Sequence, residues 1–375
     1  MSVFTAYFCG TGSHRFDTSN PSYWNGELVS TLASHDKGWE FAEWVAVDGP
    51  GSGNMQDDDL FVEPGGYFNW TGALFGKGWN ENVAHVLQVI KGEPAWSRTK
   101  LSEAEYTKLK AAGVDIPDLS ASGSWFWRTY DYGDRTPTPQ QLQAGIIAMH
   151  RKPKIPTQVN LVGWSRGGIS CHMLANAMAK DPVLKNVPVN IFVIDPVPGP
   201  LNVQEERVKL ASNVREYVGF FSRDERSKGF ACVIPSIERG TSMSIFPMPG
   251  RHATLVGNAS LEGVGAGKQL IEPGLVVRHY AEVCLKRWGV SLDKCLSLTD
   301  AQVTAYHSAI AAQDERYVAM RSKSYSLVLE GDRNDRFVHH GLRETSFSFC
   351  RGEHLYPSDG LSLQHIDANT YKVLR

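Results

Sequence analysis

The sequence predicts an α/β fold with a mostly parallel sheet, and three observations lead there. Short apolar runs rich in β-branched and aromatic residues (Val3–Phe8, Trp44–Val47, Val189–Ile194, Val214–Phe221) alternate with stretches of helical spacing. Charged residues gather where such runs end, at Asp195 and at Asp224-Glu225-Arg226, the edge where open parallel sheets place their sites. A further run, Val159–Gly163, leads through Gly163-Trp164-Ser165-Arg166-Gly167, a G-x-S-x-G, into helical spacing at Ile169, Met173, Leu174, Ala177 and Met178.

In chain order, the first strand ends at Gly10-Thr11-Gly12-Ser13-His14. No Lys-Ser/Thr follows and there is no G-x-G-x-x-G, so a phosphate cradle is disfavoured. Small residues here would let a backbone N–H from Thr11 or Gly12 approach a reacting carbonyl oxygen. A helix is expected over Gly26–Ala33, then the strand Trp44–Val47 and a Gly-rich loop from Asp48 to Asn54. Asp57, Asp58 and Asp59 read as a solvated turn, since adjacent carboxylates cannot all converge on one ion. Asn80–Val89 is an amphipathic helix. The segment 93–139 reads as an insertion or lid, with a helix capped at Ser102 and with Trp125, Phe126 and Trp127 near the site or in a core of its own. A helix at Gln140–Met149 precedes the serine motif.

Strand, sharp turn and helix make the G-x-S-x-G a nucleophile elbow. The turn lifts the Ser165 hydroxyl clear of the sheet, and the helix N-terminus, with the Arg166 N–H, faces developing negative charge. Asp195 and Asp224 both follow Ser165 at strand ends, and Asp195 is preferred as the acid, with Asp224 as the alternative. Both also have ordinary readings, as a turn residue and as an arginine's partner. His252 follows the strand-like run Ile245–Met248. His279, His339 and His340 lie farther on and are the competing histidines. The order Ser…Asp…His is that of the α/β-hydrolases.

The 375 residues, 42% of them apolar, suffice for a large core. Expected are an α/β-hydrolase-like core over 1–265 and a mainly helical C-terminal extension over 266–375. The extension would contain helices at Gly274–Trp288 and Asp300–Arg321, a strand at Ser324–Leu329, and a tail with no assignable chemistry. A net charge of −2 gives no footprint for nucleic acid. The six cysteines form no C-x-x-C pair, so no zinc or other metal site is expected and reduced thiols are, and catalysis by a serine, an acid and a histidine would require no cofactor. The N-terminus lacks signal-peptide features, which predicts a protein cytoplasmic as synthesised.

Together these residues resemble the α/β-hydrolase family that includes the type VI secretion lipase effectors with a G-F-S-R-G elbow. The similarity lies in short blocks in order: Gly10-Thr11-Gly12, Gly72-Ala73-Leu74-Phe75-Gly76, Gly163 to Gly167, Asp195-Pro196-Val197, Asp224-Glu225-Arg226 and Phe246 to His252. Asp195-Pro196-Val197-Pro198 is also similar to the acid-bearing turn of fungal-type triacylglycerol lipases. The resemblance implies a serine esterase of the lipase or phospholipase type, with Ser165 as nucleophile, Asp195 as acid and His252 as base. It implies an acyl-ester lipid substrate at a membrane surface, a delivery or immunity protein as partner, and secretion independent of a signal peptide. The chain departs from the family at Cys9, where Asp is usual, at Thr254, where Asp follows the histidine, and at Gly257-Asn258, where a Gly run is usual. The rival functions are a thioesterase or protein deacylase of the same fold, and a catalytically inactive hydrolase fold used for binding.

Overall fold

The computed structural model describes residues 2–50, 79–92, 120–122, 129–131, 147–199, 202–322 and 336–347. The acidic run Asp57–Asp59, the block Gly72–Gly76, the helix at Ser102, the aromatics Trp125–Trp127 and the strand at Ser324–Leu329 lie outside the described residues. Among those described, the elements in chain order are β1 (Val3–Phe8), α1 (Leu28–Ser34), β2 (Trp44–Val47), α2 (Trp79–Lys91), β3 (Ser120–Ser122) and β4 (Thr129–Asp131). Then come β5 (Gln158–Trp164), α3 (Arg166–Lys180), β6 (Val189–Ile194), α4 (Glu205–Val208), β7 (Val214–Ser222), β8 (Cys232–Ile234) and β9 (Ser242–Met248). The chain continues with α5 (Glu272–Arg287), α6 (Asp300–Ala312), α7 (Asp314–Ala319), β10 (Phe337–His340) and β11 (Arg343–Ser346).

The central sheet has the order β2-β1-β5-β6-β7-β9 and every pairing in it is parallel. β3 and β4 pair antiparallel, apart from that sheet. All six side chains of β6 are buried, including Ile191, Phe192, Val193 and Ile194. Burying each such side chain contributes about 1.5–3 kcal/mol, so this run belongs at the centre of a sheet covered on both faces. α2 and α3 pack together, and α1 packs with α5. Right-handed crossovers place these two pairs on opposite faces, because the chain runs from β1 toward β2 but from β5 toward β6. That reversal lies between β1 and β5, and ligands of such sheets bind beside it.

Local chemistry sets the element ends. α1 starts at Leu28 rather than Gly26, because Gly26 has φ +74° and a Cβ there would meet the Thr18 carbonyl at 2.3 Å. The Glu27 carboxylate then caps the helix by accepting from the N–H groups of Val29 and Ser30, each at 2.9 Å. α6 begins at the expected cap, where Thr299 and Gln302 form a capping box. It does not run unbroken to Arg321. Gln313 leaves helical geometry (φ −104°, ψ 14°), and α7 and a 3-10 turn at Met320–Ser322 follow. The bend brings Tyr317 and Met320 into the core.

The C-terminal extension, expected as helical, also supplies β10 and β11. β10 pairs in parallel with β8, and the three strands form a second sheet in the order β11-β10-β8. No helix among the described residues is long and apolar enough to cross a membrane. Cys9, Cys171, Cys232, Cys284 and Cys295 are free thiols.

Candidate active site

Ser165 sits between β5 and α3 with φ 56° and ψ −125°. A non-glycine residue there costs about 1–3 kcal/mol, a strain that occurs where function over-determines the backbone. The flanking glycines make the turn sterically possible. A Cβ on Gly163 would lie 2.3 Å from the Gly167 carbonyl oxygen, and one on Gly167 would lie 2.1 Å from that of Phe8. Ser165 thus stands at a close strand-to-helix turn with positive φ.

The acid loop is stitched to this turn. The Ser165 N–H donates to the Ile194 carbonyl at 3.1 Å, and the Val197 N–H donates to that of Ser165 at 3.1 Å. Asp195, between them at the end of β6, has φ 45° and is fully buried. One strand farther, the Ser222 N–H donates to Asp195 Oδ1 at 2.9 Å and its hydroxyl to Oδ2 at 3.1 Å. His252 opens the 3-10 turn His252–Val256 after β9. Its Nδ1 lies 2.6 Å from Asp195 Oδ2. A carboxylate at Nδ1 holds the proton on that nitrogen and leaves Nε2 to act as an acceptor. The ring leans on Trp164 (centroids 5.3 Å apart) and meets the Phe230 ring edge-on at 4.9 Å. Tyr23 contacts the Trp164 ring in turn, so the buried histidine sits among aromatic side chains.

Arg336, just before β10, completes the environment of Asp195. Its Nη1 donates to Oδ1 at 2.6 Å and its Nη2 to Oδ2 at 2.8 Å. It also donates to the carbonyls of Ser222 and Phe230. Burial alone would raise the Asp195 pKa. The Arg336 charge, then the hydrogen bond and charge of His252, overcome that and hold the carboxyl well below the usual carboxylate range. Ser222, Trp164, Phe230 and Arg336 were not singled out by sequence. Ser222 carried a signal, as the last residue of a strand next to the acid's own. Arg336 carried none, since it stands in a segment without periodicity and 141 positions from its partner.

Asp224, the alternative acid, is buried and engaged by arginines. Arg223 Nε donates to it at 3.1 Å, Arg321 Nε at 2.7 Å, and the Gly250 N–H at 2.9 Å. That matches its ordinary reading as an arginine's partner. Of the competing histidines, His279 lies on α5 against Tyr280, and His339 and His340 lie on β10. None of them is joined to Asp195.

The Gly10–His14 loop lies at the sheet's reversal, where Gly10 packs on the Trp164 ring and the Arg166 Nη1 donates to Thr11 Oγ1 at 3.2 Å. The Gly12 N–H donates to the Pro50 carbonyl at 3.2 Å. Of the two loop donors expected, the Thr11 N–H is thus the one without a backbone acceptor among the described residues. The Arg166 N–H, first in α3, belongs to the set that a helix leaves without an internal acceptor. Burial, then the nearby Arg207 charge, lower the Arg166 guanidinium to about 10. Among the described residues no three His, Cys, Asp or Glu side chains gather into a group that could hold a metal ion. Thr254, where the resembled family has Asp, accepts from the Arg251 N–H at 3.1 Å and so shapes the turn that carries His252.

No family model matches the chain, and no curated protein does. It is similar to a solved structure of an uncharacterized protein from Pseudomonas aeruginosa, at 14% identity and TM-score 0.45, over 86% of this chain and 55% of that one. It is also similar to the structure of the Tle1 effector bound to the VgrG spike from the type 6 secretion system, at 11% identity and TM-score 0.33, over 68% of this chain and 50% of that one. The chain thus spans about half the length of the solved chains it matches.

Proposed function

We propose that the protein is a serine esterase that cleaves acyl esters of lipids through an acyl-enzyme on Ser165. The observation that carries this reading is the Asp195–His252 pair, 2.6 Å apart, with Asp195 on a loop whose Ile194 carbonyl and Val197 N–H bond the backbone of Ser165, a serine at a strained strand-to-helix turn. In this reading His252 Nε2 takes the Ser165 proton as its oxygen attacks the ester carbonyl, then returns it to the leaving alcohol. Asp195 holds the ring and stabilises its charged form. The N–H groups of Arg166 and Thr11 meet the tetrahedral oxyanion, each contributing about 3 kcal/mol to the barrier's reduction. Water then releases the acid by the same steps.

The aromatic surround of Tyr23, Trp164 and Phe230 favours an apolar acyl group, since such rings offer much contact area at little entropic cost. Action at a membrane surface, a delivery or immunity protein as partner, and exit without a signal peptide belong to the same proposal. The test is Ser165→Ala against the wild type on a soluble short-chain ester and on mixed phospholipids, with products identified. Wild type should release fatty acid and Ser165→Ala should not, while keeping the wild-type Tm. Equal hydrolysis by the two proteins rejects the reading.

A further inference from the structure

Arg336 comes from the C-terminal extension, yet its guanidinium makes a two-pronged contact with the buried carboxylate that holds His252. Two parallel N–H···O bonds to one carboxylate fix its plane as well as its place. Both carboxylate oxygens are then fully used: Oδ1 by Arg336 and Ser222, Oδ2 by His252, Arg336 and Ser222. Ser222 also donates to both oxygens, at 2.9 and 3.1 Å, but its donors are neutral and the Arg336 bonds are shorter and charge-assisted. Arg336 is itself fixed by the carbonyls of Ser222 and Phe230, and the Phe230 ring touches His252. The same guanidinium thus organises the acid and one wall of the histidine's surround.

We propose that Arg336 is a positioning residue for this site: it holds the Asp195 carboxylate in the plane that engages His252 Nδ1. The proposal rests on the serine esterase reading and deepens it by making the site depend on a residue outside the hydrolase core. The charges that act on Asp195 are those of Arg336 and His252, and Glu225 and Cys232 act on the Arg336 guanidinium in turn. Without Arg336, burial would act on Asp195 against His252 and Ser222 alone. The Asp195–His252 pair would then take up a proton at higher pH, and activity would be lost on the acid side sooner.

The experiment uses the full chain with Arg336→Lys and Arg336→Met, each also in the Asp195→Asn background. Turnover of a soluble short-chain ester is followed from neutral to acidic pH. Arg336→Met should lower kcat on the order of a hundredfold with KM little changed. The acid limb of its profile should move to higher pH. Arg336→Lys, which keeps the charge but not the fork, should fall between the two. In Asp195→Asn there is no carboxylate to hold, so adding Arg336→Met should cost little more. A merely structural arginine predicts the same proportional loss in both backgrounds, and that outcome overturns the proposal. So does a wild-type kcat in a folded Arg336→Lys protein, which has lost the fork, and this covers the case where the Met variant does not fold. A second readout is the low-field proton resonance of His252 Nδ1–H, measured in Ser165→Ala protein. It needs no turnover, so it separates this proposal from the esterase reading. Its loss or shift in Arg336→Lys supports the proposal even if no ester is cleaved. Its persistence unchanged overturns the proposal even if Ser165 proves to be the nucleophile.

Discussion

At the scale of single residues, two aspartates at neighbouring strand ends have opposite surroundings. Asp195 touches His252, whereas Asp224 touches two arginines and a backbone N–H. The replacement Asn keeps the shape of either side chain and removes its charge. In Asp195→Asn the amide would present a donor to His252 Nδ1 and select the wrong tautomer, so turnover should fall about ten-thousandfold. In Asp224→Asn turnover should stay within a fewfold of wild type at a temperature where the protein is folded. The check is kcat for both variants on one soluble ester, and the reverse pattern would move the acid to Asp224. The serine turn was legible in sequence because steric demand writes itself into it: only glycine fits at 163 and 167. The preference for Asp195 rested on turn composition, and its Asp-Pro turn does follow the strand. Arg336 was not legible, because nothing local to a lone arginine states which carboxylate it will meet.

At the scale of elements, strands were read best and helix ends less well. Val3–Phe8, Trp44–Val47 and Val189–Ile194 have the limits expected from their apolar runs, since apolar side chains dominate strands buried on both faces. β8 was missed, being three residues long and stabilised by β10, a hundred positions away in sequence. The cap of α1 has a consequence of its own. Burial raises the Glu27 carboxyl, and the N–H groups of Val29 and Ser30 and the Ser30 hydroxyl only partly offset this, leaving it at about 7 rather than 4.5. A carboxyl raised in the folded state binds its proton more tightly there than in the unfolded chain. Its contribution to stability is therefore full below about pH 4.5, falls as pH rises to about 7, and is flat above. The loss amounts to something on the order of 3 kcal/mol. Asp36, raised by burial to about 6, acts in the same sense, and His172, lowered by burial to about 4, acts in the opposite one. Comparing Glu27→Gln with wild type cancels both. The difference in Tm between the two proteins should change steadily between about pH 5 and pH 7. Parallel Tm curves over that window would show that Glu27 does not titrate as described.

At the scale of the whole molecule, the extension and the sheet are joined by buried charge at the strand ends. Asp224, after β7, accepts from Arg321 beyond α7 and from the Gly250 N–H beyond β9. Arg223 pairs with Asp224 and also with Asp314 at the start of α7. Arg336 makes the second junction, on Asp195. Glu225 and Arg251, both fully buried, tie the loops after β7 and β9 together beside the first. A buried ion pair adds little against an apolar replacement, but removing one partner leaves the other charged and dry. Asp224→Asn should therefore cost about 3 kcal/mol, toward the low end for a broken buried pair because Arg321 is partly exposed to water. The loss should also be local. The paired strands β1, β5 and β6 do not rely on Asp224, and the Arg336 segment is held by Asp195, whereas α7 and the turn at Met320–Ser322 are anchored through Asp224 and Arg223. Hydrogen exchange should rise in 314–322 while β1, β5, β6 and 336–347 keep wild-type protection. Uniformly faster exchange across the sheet would mean that extension and core unfold as one unit, and that Asp224 supports the whole rather than the junction.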